Sequence, residues 1–215
     1  MRVVFRVDAS IQIGSGHVMR CLTLADALQQ QGAECVFVCR AHEGHMVETV
    51  RQKGYAVRVL AFSSGQMRQS DTPDHALLHA HWLGVTSESD ALNTQHALRD
   101  VGVIDWLVVD HYALDVKWEQ SMRPICHKLM VIDDLVDREH DCDLLLDQNL
   151  GRTEQHYKLL VPTHTKLLVG PAFALLRPEF AMCRSESLSR REQPTLKRLL
   201  LSMGGVDKDN LTEIG

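Results

Sequence analysis

The sequence predicts an α/β fold, a Rossmann-like parallel sheet with helices packed on both faces. Two patterns carry that prediction. Short β-branched runs recur along the chain, each followed by a stretch of helical spacing, and this alternation builds parallel βα units. A glycine-rich loop also joins the first run to the first helical stretch, at the carboxyl end of a strand, where such sheets meet their ligands.

The elements follow in order. Strands are expected at residues 3–7, 33–39, 56–60, 104–109, 128–132 and 142–146. The clearest helix is 17–31, where Val18, Cys21, Leu22, Ala25 and Leu28 recur at three and four residues and Gly32 supplies a stop. A second helix is expected over 87–100. The stretch 62–74, with Ser63, Ser64, Gly65, Thr72 and Pro73, reads as a long loop bordering the ligand crevice. Residues 1–183 form the first domain, and the charged, polar stretch 184–195 reads as a linker. A strand at 196–202 then runs into Gly204-Gly205. A lone strand and helix cannot bury their own faces, so 196–215 is expected to be the start of a truncated second α/β domain.

Composition narrows the function. With 45% hydrophobic and 24% charged residues in 215, the chain has the make-up of a globular protein. Its net charge of −5 gives no electrostatic reason for nucleic-acid binding, which needs clustered Lys and Arg. No apolar run approaches the roughly 20 residues of a membrane span, so no membrane partner is expected. Arg2, Arg6 and Asp8 interrupt the N-terminal apolar residues too early for a signal-peptide core. A cytoplasmic protein with six reduced, mostly buried cysteines is therefore expected. Its oligomeric state stays open, a monomer included.

The most informative segment runs from Asp8 through Gly14-Ser15-Gly16-His17 to Arg20. Gly14 and Gly16 let the backbone turn tightly and approach a ligand, and the positive end of the helix favours an anion. The same positive end disfavours imidazolium, which predicts a neutral His17 able to accept a proton as general base. The alternative is an ordinary turn followed by a polar first-turn residue without chemical role. A dinucleotide fingerprint fits poorly: Met19 stands at the third glycine position and Arg40 ends the second strand where an acidic residue is needed. There is no phosphate-binding Gly-Lys-Ser/Thr loop, and no cofactor is expected.

Ordered motifs along the chain resemble the UDP-2,4-diacetamido-2,4,6-trideoxy-β-L-altropyranose hydrolase family of pseudaminic acid biosynthesis. They are Phe5-Arg6-Val7-Asp8 with 13–22, 108–112 ending in Asp110-His111-Tyr112, Ile132-Asp133-Asp134, 142–149 ending in Asn149, 170–180 containing Arg177, and Met203-Gly204-Gly205-Val206-Asp207. The resemblance implies a two-domain glycosyltransferase-B-type fold with the sugar in the interdomain cleft and the nucleotide held mainly by the second domain. It further implies that His17 is the base that activates water and that Tyr112 lines the sugar site. Asn149 and Arg177 fall in substrate-site motifs, and the amides of Gly204 and Gly205 would suit the diphosphate. The implied reaction is metal-independent removal of UDP from a UDP-linked 2,4-diacetamido-2,4,6-trideoxy hexose, by water attack at the anomeric carbon with inversion. The alternatives are a nucleotide-sugar glycosyltransferase of the same fold and a non-catalytic binding domain.

Other constellations weigh less. Cys35, Cys39, His42 and His45 have zinc-like spacing, but both cysteines fall in a strand rather than a tight turn. His75, His79 and His81 lack a completing carboxylate and read as polar surface. Asp110, Asp133 and Asp134 follow strands and border the crevice. They could orient sugar hydroxyls or His17, and for Asp134 a capping or turn role is preferred.

Overall fold

A computed structural model describes residues 1–62, 77–193, 195–196, 198–201 and 210–213. Among the described residues seven strands form one sheet: β1 (Arg2–Val7), β2 (Glu34–Arg40), β3 (Ala56–Leu60), β4 (Ile104–Asp110), β5 (Cys126–Ile132), β6 (Leu144–Asp147) and β7 (Lys166–Val169). Their spatial order is β3-β2-β1-β4-β5-β6-β7, and every pairing is parallel. The chain builds outward from β1 in one direction, then returns to β4 on its other side. The order therefore reverses between β1 and β4, and there the connections leave in opposite directions and open a crevice at the carboxyl edge.

Alternate strand residues feed two cores. Val4, Val38, Leu107, Val109 and Val131 pack beneath α3 (Ser87–Leu98) and α4 (Val116–Met122), with Trp118 and Met122 buried among them. On the other face Phe5, Val7, Phe37 and Val108 pack with Val18, Cys21, Leu22 and Ala25 of α1 (Gly16–Gln30) and Val47 and Val50 of α2 (Val47–Gln52). Thr86 caps α3 by accepting the Ser89 amide, and Asp115 caps α4 by accepting the Lys117 and Trp118 amides. Helices α5 (Pro178–Met182) and α6 (Arg184–Arg191) lie exposed at the surface.

Coverage is incomplete on the α1 face. An apolar cavity of about 270 Å³, lined by Leu24, Leu28, Trp106, Met130, Leu146 and Leu168, lies over the strands there. Its lining is apolar and presents no side chain that could orient a reacting group.

The six expected strands form within two residues of their expected bounds. β7 was not expected: its four residues Lys166, Leu167, Leu168 and Val169 carry no alternation to mark them. The short helices α2, α4, α5 and α6 were missed too, being too brief for a helical repeat. The charged stretch after residue 183 begins as helix α6. Within the strand expected at 196–202, the described residues have no strand pairing. Gly204 and Gly205, and residues 63–74 of the expected loop, lie outside the described residues. No helix among the described residues is long and apolar enough to cross a membrane.

Candidate active site

The loop after β1 folds as its glycines and serines direct. Ser10 Oγ accepts the Gln12 and Ile13 amides at 3.1 and 2.9 Å, and the Gly14 amide donates to the Ser10 carbonyl at 2.8 Å. Gly14 closes this turn at φ +77°, a conformation that disfavours any Cβ. Gly16 opens α1 with ordinary φ, and a Cβ added at either glycine would meet, among the described residues, nothing within 4 Å beyond its own chain neighbours and helix backbone. Ser15 precedes the helix without a side-chain cap, so the first-turn amides keep their hydrogens for another acceptor.

His17 follows on α1, at the carboxyl edge of the sheet beside the end of β4. It is 8% exposed, and its contacts are polar rather than apolar. Its Nδ1 lies 2.6 Å from Oδ1 of Asp110, a residue at the end of β4 whose strand partner is Val7. An ionised carboxylate only accepts hydrogen bonds, so Nδ1 carries the hydrogen and a neutral ring holds its lone pair on Nε2. No partner engages Nε2 among the described residues. Helix α1 also brings Arg20 onto the same carboxylate, through Nε at 2.6 Å to Oδ2 and an Nη at 2.7 Å to Oδ1. Burial works against ionisation of Asp110, but the charges of His17 and Arg20 overcome it and hold the carboxyl well below the ordinary range.

The other guanidinium nitrogen of Arg20 reaches Asp134 Oδ2 at 2.5 Å. The Tyr112 hydroxyl donates to that oxygen at 2.7 Å, and Asn149 Nδ2 donates to Oδ1 at 3.2 Å. Burial, and then Asp134 as acceptor and charge, raise the Tyr112 hydroxyl well above the ordinary tyrosine value, so it stays protonated. The Tyr112 ring closes the circuit by meeting His17 edge-on, centroids 4.5 Å apart. The groups thus run His17, Asp110, Arg20, Asp134, Tyr112 and back to His17. Two carboxylates against one guanidinium leave this ring one negative charge in excess when His17 is neutral.

Asp134 corrects the sequence reading. It caps no helix but is the hub joining Arg20, Tyr112 and Asn149. The turn role belongs to Asp133, whose Oδ2 accepts the Val136 amide at 2.9 Å. Arg20 was missed as a site residue, although its position three residues after His17 on one helix face was a usable signal. His79 was read as polar surface, but it packs against Trp82 and Tyr112 with centroids 4.3 and 5.5 Å away. His111 points away from Tyr112, with Nε2 3.3 Å from the buried Asp8 and Nδ1 accepting the Ala113 amide.

Arg177 stands apart from this circuit. It is exposed and lies over Phe180, 5.5 Å from the ring centroid. Its segment is tied to the sheet edge by the Leu175 amide, which donates to Gln148 beside Asn149. All six cysteines are free, with Cys183 alone exposed. Among the described residues, no three His, Cys, Asp or Glu side chains are grouped to hold a metal.

Over 213 residues, 99% of the chain, the sequence is 26% identical to the UDP-2,4-diacetamido-2,4,6-trideoxy-β-L-altropyranose hydrolase of Campylobacter jejuni. Over 215 residues it is 22% identical to an uncharacterized protein of Methanocaldococcus jannaschii. The chain spans 63% of the first relative and 38% of the second. No family model matches it.

Proposed function

We propose that this chain bears the catalytic base and sugar site of a nucleotide-sugar hydrolase. It would remove UDP from a UDP-linked 2,4-diacetamido-2,4,6-trideoxy hexose by water attack at the anomeric carbon with inversion. The observation that carries the reading is the His17–Asp110 pair at the reversal of strand order, with Nδ1 held by a buried carboxylate at 2.6 Å. The similarity to the Campylobacter jejuni hydrolase supports the substrate class.

The reaction follows from that arrangement. Water placed against Nε2 of His17 loses a proton to it while its oxygen bonds to the anomeric carbon. The bond from that carbon to the phosphate oxygen breaks, and its electron pair leaves with UDP. Asp110 stays ionised and stabilises the imidazolium that forms, a role worth part of the 10²- to 10⁴-fold typical of general-base catalysis. The negative excess around Asp110 and Asp134 suits positive charge developing at the anomeric carbon. The same excess repels phosphate, so the diphosphate belongs further out. There the uncapped amides at the start of α1, beside Gly14 and Gly16, can receive the departing charge. Asn149 and Arg177 extend the substrate site along the edge of β6 and β7, and Gly204 and Gly205 contribute to the nucleotide site.

The test is UDP release from that sugar nucleotide, with proton NMR of the first-formed sugar. Free sugar of inverted anomeric configuration is the expected product. A glycoside made only with an added acceptor would shift the assignment to glycosyl transfer. Absence of UDP release under both conditions would overturn it.

A further inference from the structure

The rings beside His17 have no part in the proton transfer just described. A single 3-10 turn, Ala80–Leu83, is anchored by buried Leu83 and closed by Gly84 at φ +73°. It sets Trp82 parallel to Tyr112, centroids 5.7 Å apart and planes 26° from each other. His79 fills the angle between them. Burial first, and the charge of His81 next, hold His79 below the ordinary imidazole value, so it joins the stack as a neutral ring. All three rings are half-buried, each keeping an accessible part.

Two of the polar groups bordering these rings are already committed to carboxylates. The Tyr112 hydroxyl gives its hydrogen to Asp134 and offers only lone pairs outward. All three guanidinium nitrogens of Arg20, the cation in contact with His17, are engaged by Asp110 and Asp134. Among the described residues, the surface therefore combines flat apolar area and outward lone pairs with no unpaired cation at His17. Such a surface disfavours phosphate, and its aromatic faces gain more from C–H and methyl groups than from hydroxyls turned toward them. It matches a neutral ring bearing methyl groups and amide N–H donors, because C–H groups stack on aromatic faces and an amide N–H satisfies a phenolic lone pair.

We infer that Trp82, with His79 and Tyr112, forms a recognition shelf for the apolar, amide-bearing face of the sugar, and that Trp82 determines specificity for methyl and acetamido substituents. This rests on the nucleotide-sugar reading above. Trp82→Leu, which keeps apolar bulk but removes the ring, and Trp82→Phe, which keeps a ring, are compared with the unaltered protein. The substrates are the UDP-linked 2,4-diacetamido-2,4,6-trideoxy hexose and UDP-N-acetylglucosamine. Trp82→Leu is expected to raise KM for the first substrate about tenfold, the equivalent of one aromatic stacking contact. The preference over UDP-N-acetylglucosamine should shrink, Trp82→Phe should recover most of the loss, and inhibition by UDP alone should not change. An unchanged KM in Trp82→Leu, or an equal loss of affinity for UDP, overturns the shelf. If the unaltered protein turns over neither nucleotide sugar, the hydrolase reading fails by itself. The shelf is then decided by isothermal titration with the free diacetamido sugar. Saturable binding that Trp82→Leu weakens about tenfold and Trp82→Phe largely restores upholds it, and any other result overturns it.

Discussion

Replacing Asp110 by asparagine separates orientation of the base from simple integrity of the site. Asp110 is fully buried and receives His17 Nδ1 at 2.6 Å and two Arg20 nitrogens at 2.6 and 2.7 Å. Asparagine has one oxygen and one NH₂ to set against these three donors. With the NH₂ toward His17, Nδ1 must accept and the ring hydrogen moves to Nε2, where the lone pair is needed. With the NH₂ toward Arg20, two donors oppose each other in a buried place. Breaking a buried charged pair costs about 3–5 kcal/mol. Arg20 keeps Asp134 and the amide keeps one acceptor, so we expect a loss of about 2–3 kcal/mol. For a chain of this size that is a fall in Tm of about 4–12 °C. The same change should lower kcat by about 10²- to 10⁴-fold, because the wrong tautomer predominates. The matched control is Glu119→Gln, which disrupts another fully buried carboxylate–histidine pair, to His140 at 2.7 Å, and should destabilise comparably while leaving kcat near normal. Thermal unfolding and initial-rate measurements on both variants decide the matter. If Asp110→Asn keeps kcat within a few-fold, or if Glu119→Gln loses as much, Asp110 does not orient the base and the mechanism needs another source of basicity.

Three further outcomes are expected. His17→Gln should lower kcat on the order of 10²-fold or more while inhibition by UDP is preserved, since an amide can hold water but cannot carry off its proton; near-normal kcat would reduce His17 to a positioning role. Gly14→Ala, at φ +77°, should cost about 1–2 kcal/mol in urea unfolding, whereas Gly16→Ala at the helix start should stay within about 0.5 kcal/mol; equal effects would refute the turn assignment. Stability should also fall in acid. Burial raises Asp8, Asp90, Asp110 and Asp133, but Arg6 for the first two, His17 and Arg20 for Asp110, and Arg138 for Asp133 bring each below its ordinary 3.8. A carboxyl depressed in the folded state stabilises it above the unfolded value, so urea midpoints should hold down to about pH 5 and drop as pH falls through 3.8 and below; a profile in Asp110→Asn as steep as the unaltered one would show that Asp110 contributes nothing to it.

Much of the fold was legible because its signals are local. Val3 to Val7 followed by a glycine turn and the spacing of Val18, Cys21, Leu22 and Ala25 define the first βα unit without reference to the rest of the chain. β7 was not legible, because four residues paired at a sheet edge leave no period to read. In the candidate site, the places of Gly14 in the turn and His17 at the helix start were readable from their position, and Tyr112 was singled out through its motif. Asp134 was misread because an aspartate after a strand serves equally as a turn former or as an acceptor for distant side chains, and only its neighbours distinguish the two.

The sequence by itself determined six of the seven strands among the described residues, the turn after the first of them, and that a histidine stands at the opening of the first helix. These depend on side-chain period and backbone preference, both set within a few residues. Tertiary structure alone decided that Asp110, 93 positions from His17, lies beneath its Nδ1, that Arg20 is held between Asp110 and Asp134, and that Trp82 stacks on Tyr112. Those meetings follow from the order of strands in the sheet. Placing β4 beside β1 is a property of how whole faces bury one another, and no local pattern encodes it.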